Sequence, residues 1–187
     1  MHEQEKLKEA KHFYSRMKEE QGQEDRESFK YNLSAFLSAA RSVLQYALKE
    51  VDPGENPKAV PGAKAWYDNF VANSPVLKFF KDKRDINIHD EPIDPRADIA
   101  VTITEQLHLS ESIVVVVRDK DGKIKSQFSS EEPKPKPKRP KSSVESKTTF
   151  RFNDWTGNED VITLCERYIQ ELEKAVKDGM SKGYITG

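Results

Sequence analysis

Apolar residues recur at helical spacing from about Glu24 to Val51. Phe29, Leu33, Phe36, Leu37, Ala40, Val43, Leu44, Ala47, Leu48 and Val51 fall on one face of a helix, the strongest periodic signal in the chain. A second track of small residues, Ser34, Ala35, Ser38, Ala39 and Ser42, allows another helix to approach closely, from the same chain or from a second subunit. Arg41 interrupts this region, either as a packing residue of a bundle or as part of a cleft. The charged stretch from about Gln4 to Glu20 carries a narrower stripe, Leu7, Ala10, Phe13, Tyr14 and Met17, and is expected to dock on the bundle. Loop signals at Asp52-Pro53-Gly54-Glu55-Asn56-Pro57 and Pro61-Gly62 precede a short helix at Ala65–Val71, whose Trp66, Tyr67 and Phe70 read as core.

A further helix is predicted from Pro75, with Ser74 as its N-cap and the proline at the first position, where its missing N–H costs nothing. Leu77, Phe80, Arg84 and Ile88 share one stripe of it, and Asp90-Glu91-Pro92 ends it, because the residue before a proline is pushed out of the helical region. The period then changes. Ile99, Val101 and Ile103 alternate, Ile113 to Val117 form a β-branched run, and Asp119-Lys120-Asp121-Gly122 reads as a hairpin turn leading to Ile124 and Phe128. The pattern predicts an antiparallel meander, with Thr148–Phe152 as a possible fourth strand and His108 in a turn. A final helix opens near Asn158, read as its N-cap, and buries Val161, Leu164, Cys165, Tyr168, Ile169, Leu172 and Val176; Gly179 or Gly183 stops it. The expected fold class is α+β: a helical bundle over 1–93, a β insertion over 94–152 containing a Pro/Lys-rich loop at 131–147, and a helix at 153–187 that packs back on the bundle as part of one domain.

Composition narrows the function classes. With 35% hydrophobic and 34% charged residues, the 187-residue chain has a modest core and a highly solvated surface. No apolar run approaches the roughly 20 residues of a membrane-spanning helix, so no membrane association is expected. His2-Glu3-Gln4-Glu5-Lys6 lacks the apolar core of a secretory signal, and the single cysteine cannot form an internal disulfide, so a reducing cytoplasm is the expected compartment. A net charge of −1 gives no global attraction to RNA. The local exception is residues 133–141, five cations in nine positions including Lys138 and Arg139; this is either a solvated loop or an electrostatic arm for RNA or an acidic partner. Residue types at metal-ligand or Ser/His/Asp spacing are lacking, and neither metal nor cofactor is expected.

One segment carries candidate chemistry. Arg84-Asp85-Ile86-Asn87-Ile88-His89 sets a permanent cation and a titratable imidazole around a predicted helix end, where the helix dipole and neighbouring carboxylates favour a protonated histidine. Five helical steps turn the chain by about 140°, so the two side chains converge only if the helix unwinds or bends near the motif. The arrangement resembles the HEPN superfamily, whose mark is an arginine, four to six residues and a histidine, with a polar residue such as Asp85 commonly following the arginine. The resemblance implies an all-helical core, often a homodimer with a shared cleft, and in many members a metal-independent ribonuclease of toxin, defence or RNA-processing type. It assigns catalysis to Arg84 and His89, with Asp85 beside them, and it suggests an antitoxin or a nucleotidyltransferase as a protein partner; Asn87, Arg41, Lys138 and Arg139 are the candidate RNA contacts, the last three from their own charge and position in the sequence. The alternative it leaves open is a non-catalytic interaction or nucleotide-binding module.

Overall fold

The computed structural model describes residues 2–89, 93–104, 114–129 and 143–186, with the side chains of 86–89, 104, 129, 143 and 144 left out of that description. Its elements run α1 (His2–Gly22), α2 (Arg26–Val51), α3 (Ala63–Ala72), α4 (Pro75–His89), β1 (Arg96–Thr104), β2 (Val114–Arg118), β3 (Ile124–Ser129), β4 (Ser143–Arg151) and α5 (Val161–Ser181). The fold is α+β and mainly helical, with the strands preceding the last helix. Two compact units divide it: Met1–Ile99 with Lys147–Gly187, and Ala100–Ser146.

Helices α2, α4 and α5 of the helical unit begin where a side chain satisfies one of their first free N–H groups. The Asp25 carboxylate accepts from Ser28 N–H at 3.1 Å ahead of α2, and Ser74 Oγ accepts from Leu77 N–H at 3.3 Å ahead of α4. For α5 the cap is Asp160, which accepts from Thr163 N–H at 2.8 Å, and not Asn158; the helix starts at Val161, leaving Asn158 too far upstream to reach the first turn. The buried face of α2 is the one its periodicity predicts, and it meets Leu77 and Phe80 of α4 and Leu164, Tyr168 and Leu172 of α5 in a common core. An aromatic seam joins these helices. The Phe80 ring lies flat on Tyr168, 4.5 Å between centroids at 3°, and Phe36 meets both rings edge-on. Cys165 is buried, and burial pushes its thiol well above the ordinary range, which fits a structural residue.

Gly183, not Gly179, ends α5. At φ +68° it adopts the left-handed turn that glycine tolerates, donating to Met180 O at 3.0 Å while Tyr184 N–H reaches Gly179 O at 2.9 Å. Gly179 stays helical, and its missing Cβ leaves room for Trp66 of α3, whose indole N–H is anchored on Asp178 Oδ2 at 2.6 Å. A Cβ at position 179 would come to 2.6 Å from Trp66 Cη2 and 3.0 Å from Ile185. Gly179→Ala is therefore expected to cost about 1–3 kcal/mol in chemical denaturation despite alanine's better helix propensity. An unchanged or raised stability would show that α3 does not seat on α5 in this way.

The strands depart from the expected meander. β2 pairs antiparallel with β3, while β1 pairs with β4, giving two two-stranded sheets. A tight turn closes β2 on β3: Asp119 Oδ1 accepts from Asp121 N–H (3.0 Å) and Lys123 N–H (2.9 Å), and Gly122 takes φ +81°. β1 and β4 are instead tied at their helical-unit ends, where Asp98 bridges Arg96 (2.9 Å) and Arg151 (3.0 Å) and Phe150 stacks on Phe29 of α2 at 4.0 Å. β4 also starts at Ser143, so residues 143–147, expected in the Pro/Lys-rich loop, are strand. The remainder of that loop and His108 lie outside the described residues.

Candidate functional site

The arginine–histidine segment forms the last turns of α4. Leu77 and Phe80 on the same stripe are fully buried, whereas the Arg84 side chain keeps 22% of its exposure. Its Nη1 holds Asp85 Oδ1 at 3.1 Å, and its Nε is enclosed without a hydrogen-bond partner. The preceding residue behaves differently. Lys83 reaches out of α4 to Asp154 Oδ1 at 2.6 Å and lies over the rings of Phe79 and Phe152, so it ties the helix to the segment after β4. The Arg84–Asp85 pair ties no two elements together. The helix continues through His89, so the backbone does not unwind between Arg84 and His89. The side chains of Asn87 and His89, and all of Lys138 and Arg139, lie outside the described residues.

Arg41 stands in a second place. It helps line a cleft of about 540 Å³ between α2, α3 and α4, together with Tyr67 and Asp68 on α3 and Lys78, Lys81 and Asp82 on α4. Arg41 is half-buried, its Nε enclosed without a hydrogen-bond partner, and it makes no ion pair among the described residues. Two buried phenols stand near it. Burial raises the Tyr67 phenol above its ordinary range and raises Tyr168 further, and in both the Arg41 guanidinium opposes the rise. Both phenols therefore keep their protons at neutral pH. Helical spacing puts Lys78, Lys81, Asp82 and Asp85 on one side of α4, which sets the Arg84–Asp85 pair one turn beyond the cleft.

Arg41 and Arg84 were visible in the sequence as cations on otherwise apolar or small-residue stripes. Tyr67, Lys64, Lys78 and Lys81 were not singled out: the tyrosine reads as core, and lysines on a helix read as solvated surface. The small track on α2 is divided. Ala39 is buried inside the chain, Ser38 is exposed, and the Ser38 and Ser42 hydroxyls bond back to the carbonyls of Ser34 (3.1 Å) and Ser38 (2.8 Å).

The Tyr168 hydroxyl is itself buried without a hydrogen-bond partner. Tyr168→Phe keeps the ring on Phe80 and removes only the unpaired group. It is expected to leave stability unchanged or raise it by about 1 kcal/mol. A fall in the melting midpoint would mean the hydroxyl is bonded in solution. No family model, curated protein or solved structure matches the chain. Among the described residues, no helix is long and apolar enough to cross a membrane.

Proposed function

We propose that the chain is an RNA-directed, metal-independent ribonuclease of HEPN-like type, with Arg84 and His89 as its reacting pair. The observation that carries this reading is the Arg84–Asp85 pair. A half-buried guanidinium on a core stripe is costly, and its usual structural return is a bond between elements. Lys83 makes such a bond; among the described residues Arg84 holds its own neighbour alone, at 3.1 Å and near the surface. A guanidinium steadied in this way is free to meet a phosphate at its remaining N–H groups.

In the reaction, His89 takes the proton from an RNA 2′-hydroxyl as that oxygen bonds to the adjacent phosphorus. The P–O5′ bond breaks, the 5′-oxygen takes a proton from water, and Arg84 stabilises the charge on the non-bridging oxygens. Asp85 holds the guanidinium in place. Because α4 stays helical through His89, five residues still turn the two positions apart by about 140°. The reading therefore completes the cleft with a second copy of the chain, as the resemblance implies. The purified protein should cut single-stranded RNA equally well with and without chelator, leaving 2′,3′-cyclic phosphate ends. Absence of cutting from about pH 6 to 9, where a histidine base is active, overturns the reading.

A further inference from the structure

We infer that the cleft between α2, α3 and α4 is a separate binding site for a phosphorylated small molecule, with Arg41 as its phosphate-binding residue. The cleft carries one more cation than carboxylates. Of its four cations, Lys64 is closed on Asp68 by contacts of 2.6 and 2.7 Å. Of its three carboxylates, Asp68 is thus engaged and Asp52 accepts from Gly54 N–H in its own loop at 2.9 Å. Arg41, whose guanidinium is hydrogen-bonded to the Tyr67 hydroxyl, and Lys78 and Lys81 remain without an ion pair among the described residues, against the charges of Asp52 and Asp82.

The placement of Arg41 gives this surplus its meaning. A surface lysine loses little by being unpaired, but a half-buried guanidinium with one N–H sealed from water and from any acceptor is costly without a counter-charge. A bound anion supplies that charge. Phosphate suits the cleft better than a single carboxylate does, because its several oxygens can take the planar guanidinium fork and two further ammonium groups together. The protonated Tyr67 phenol adds a neutral donor on the α3 side. Volume points to something larger than the ion: about 540 Å³ falls within the roughly 300–1,000 Å³ of small-molecule sites, and Leu48, Val71 and Ala72 offer an apolar wall for an organic body. The ligand class is a phosphomonoester whose organic part rests on that wall.

Titration calorimetry on the full chain at low ionic strength tests this with inorganic phosphate, ribose 5-phosphate and ribose. The first two should bind saturably, ribose 5-phosphate more tightly, and ribose should not bind. Arg41→Ala should weaken both by roughly tenfold or more, since a hydrogen-bonded charge is lost. The double variant Lys78→Ala/Lys81→Ala, at exposed positions where folding is not at risk, should weaken them several-fold, and added salt should do the same to wild type. The inference is overturned if folded wild-type protein does not bind phosphate, if ribose binds as tightly as ribose 5-phosphate, or if the double variant binds like wild type. It stands independently of the ribonuclease reading: a chain that binds phosphate here yet cuts no RNA loses that reading and keeps this one.

Discussion

Phe80→Ala is expected to destabilise the helical unit by about 3–5 kcal/mol, the range for removing a fully buried phenylalanine ring. Phe80 is 0% exposed and sits where three helices and the segment after β4 meet: Tyr168 of α5 stacks on it at 4.5 Å, Phe36 of α2 meets it at 6.3 Å and Phe152 at 5.9 Å. None of these rings can refill the space without leaving its other partners, so the cavity persists. A loss of this size is a large part of the roughly 5–15 kcal/mol that holds a typical domain folded. Urea denaturation should show a lower midpoint with little change in slope. Because α4 also carries Arg84, Lys78 and Lys81, both candidate activities should fade at temperatures where wild type keeps them. A loss below about 1 kcal/mol would mean that the Phe80–Tyr168 stack does not form in solution.

The helical part of this architecture was readable from the sequence because its signals are local and periodic. Ser74-Pro75 announces the start of α4 through one hydroxyl and one missing N–H, and the face of α2 follows from 3.6-residue spacing alone. Strand partnership was readable for the hairpin but not for the other pair. The five-residue run of β2 and the Asp119–Gly122 turn determine the β2–β3 pair, since the turn closes over adjacent residues. The β1–β4 pair depends on Asp98 meeting Arg151 and on Phe150 stacking on Phe29, contacts between residues far apart in the chain. Nothing in the spacing of Ile99, Val101 and Ile103 tells which strand lies beside them. The choice between Gly179 and Gly183 was hidden for the same reason, because only the packed Trp66 makes the first a close-approach glycine.

The site was legible to a smaller degree. Arginines on apolar stripes are visible in one dimension, but whether each has a carboxylate partner is a fact of packing. Arg84 found its partner one residue away, and Arg41 found none among the described residues. The cleft around Arg41 exists because the loop after α2 turns α3 back so that Tyr67 and Lys64 reach the cleft wall beside it, a geometry that no spacing rule encodes. A weak signal was present: Tyr67 and Tyr168 fall on buried faces, and a buried phenol oxygen needs a partner, so a cation at a half-buried position nearby is worth testing as one end of a polar site.

Arg84→Ala and His89→Ala are each expected to lower the rate of RNA cleavage by about a hundred-fold to ten-thousand-fold, the usual loss when a proton-transfer group or a charge-stabilising donor is removed. The two should differ in their side effects. Arg84 lies on the core stripe with its Nε enclosed, so its removal also changes packing, and melting curves must accompany the assay. Arg84→Lys helps here, because it keeps the charge and most of the packing stem but loses the planar fork; if the fork grips the phosphate, lysine should recover stability without recovering the rate. Asp85→Asn removes the negative charge beside the guanidinium but leaves an acceptor, so a smaller loss is expected, which the held Arg84 geometry limits. A cleft completed by two copies adds a further requirement. Mixing the Arg84→Ala and His89→Ala proteins should restore part of the activity if each copy contributes a different residue to one cleft, and none if both residues must come from the same chain. Absence of any restoration would leave the chemistry standing but overturn the cleft shared by two copies. A folded Arg84→Ala/His89→Ala double variant that cuts like wild type would remove the pair from the reaction.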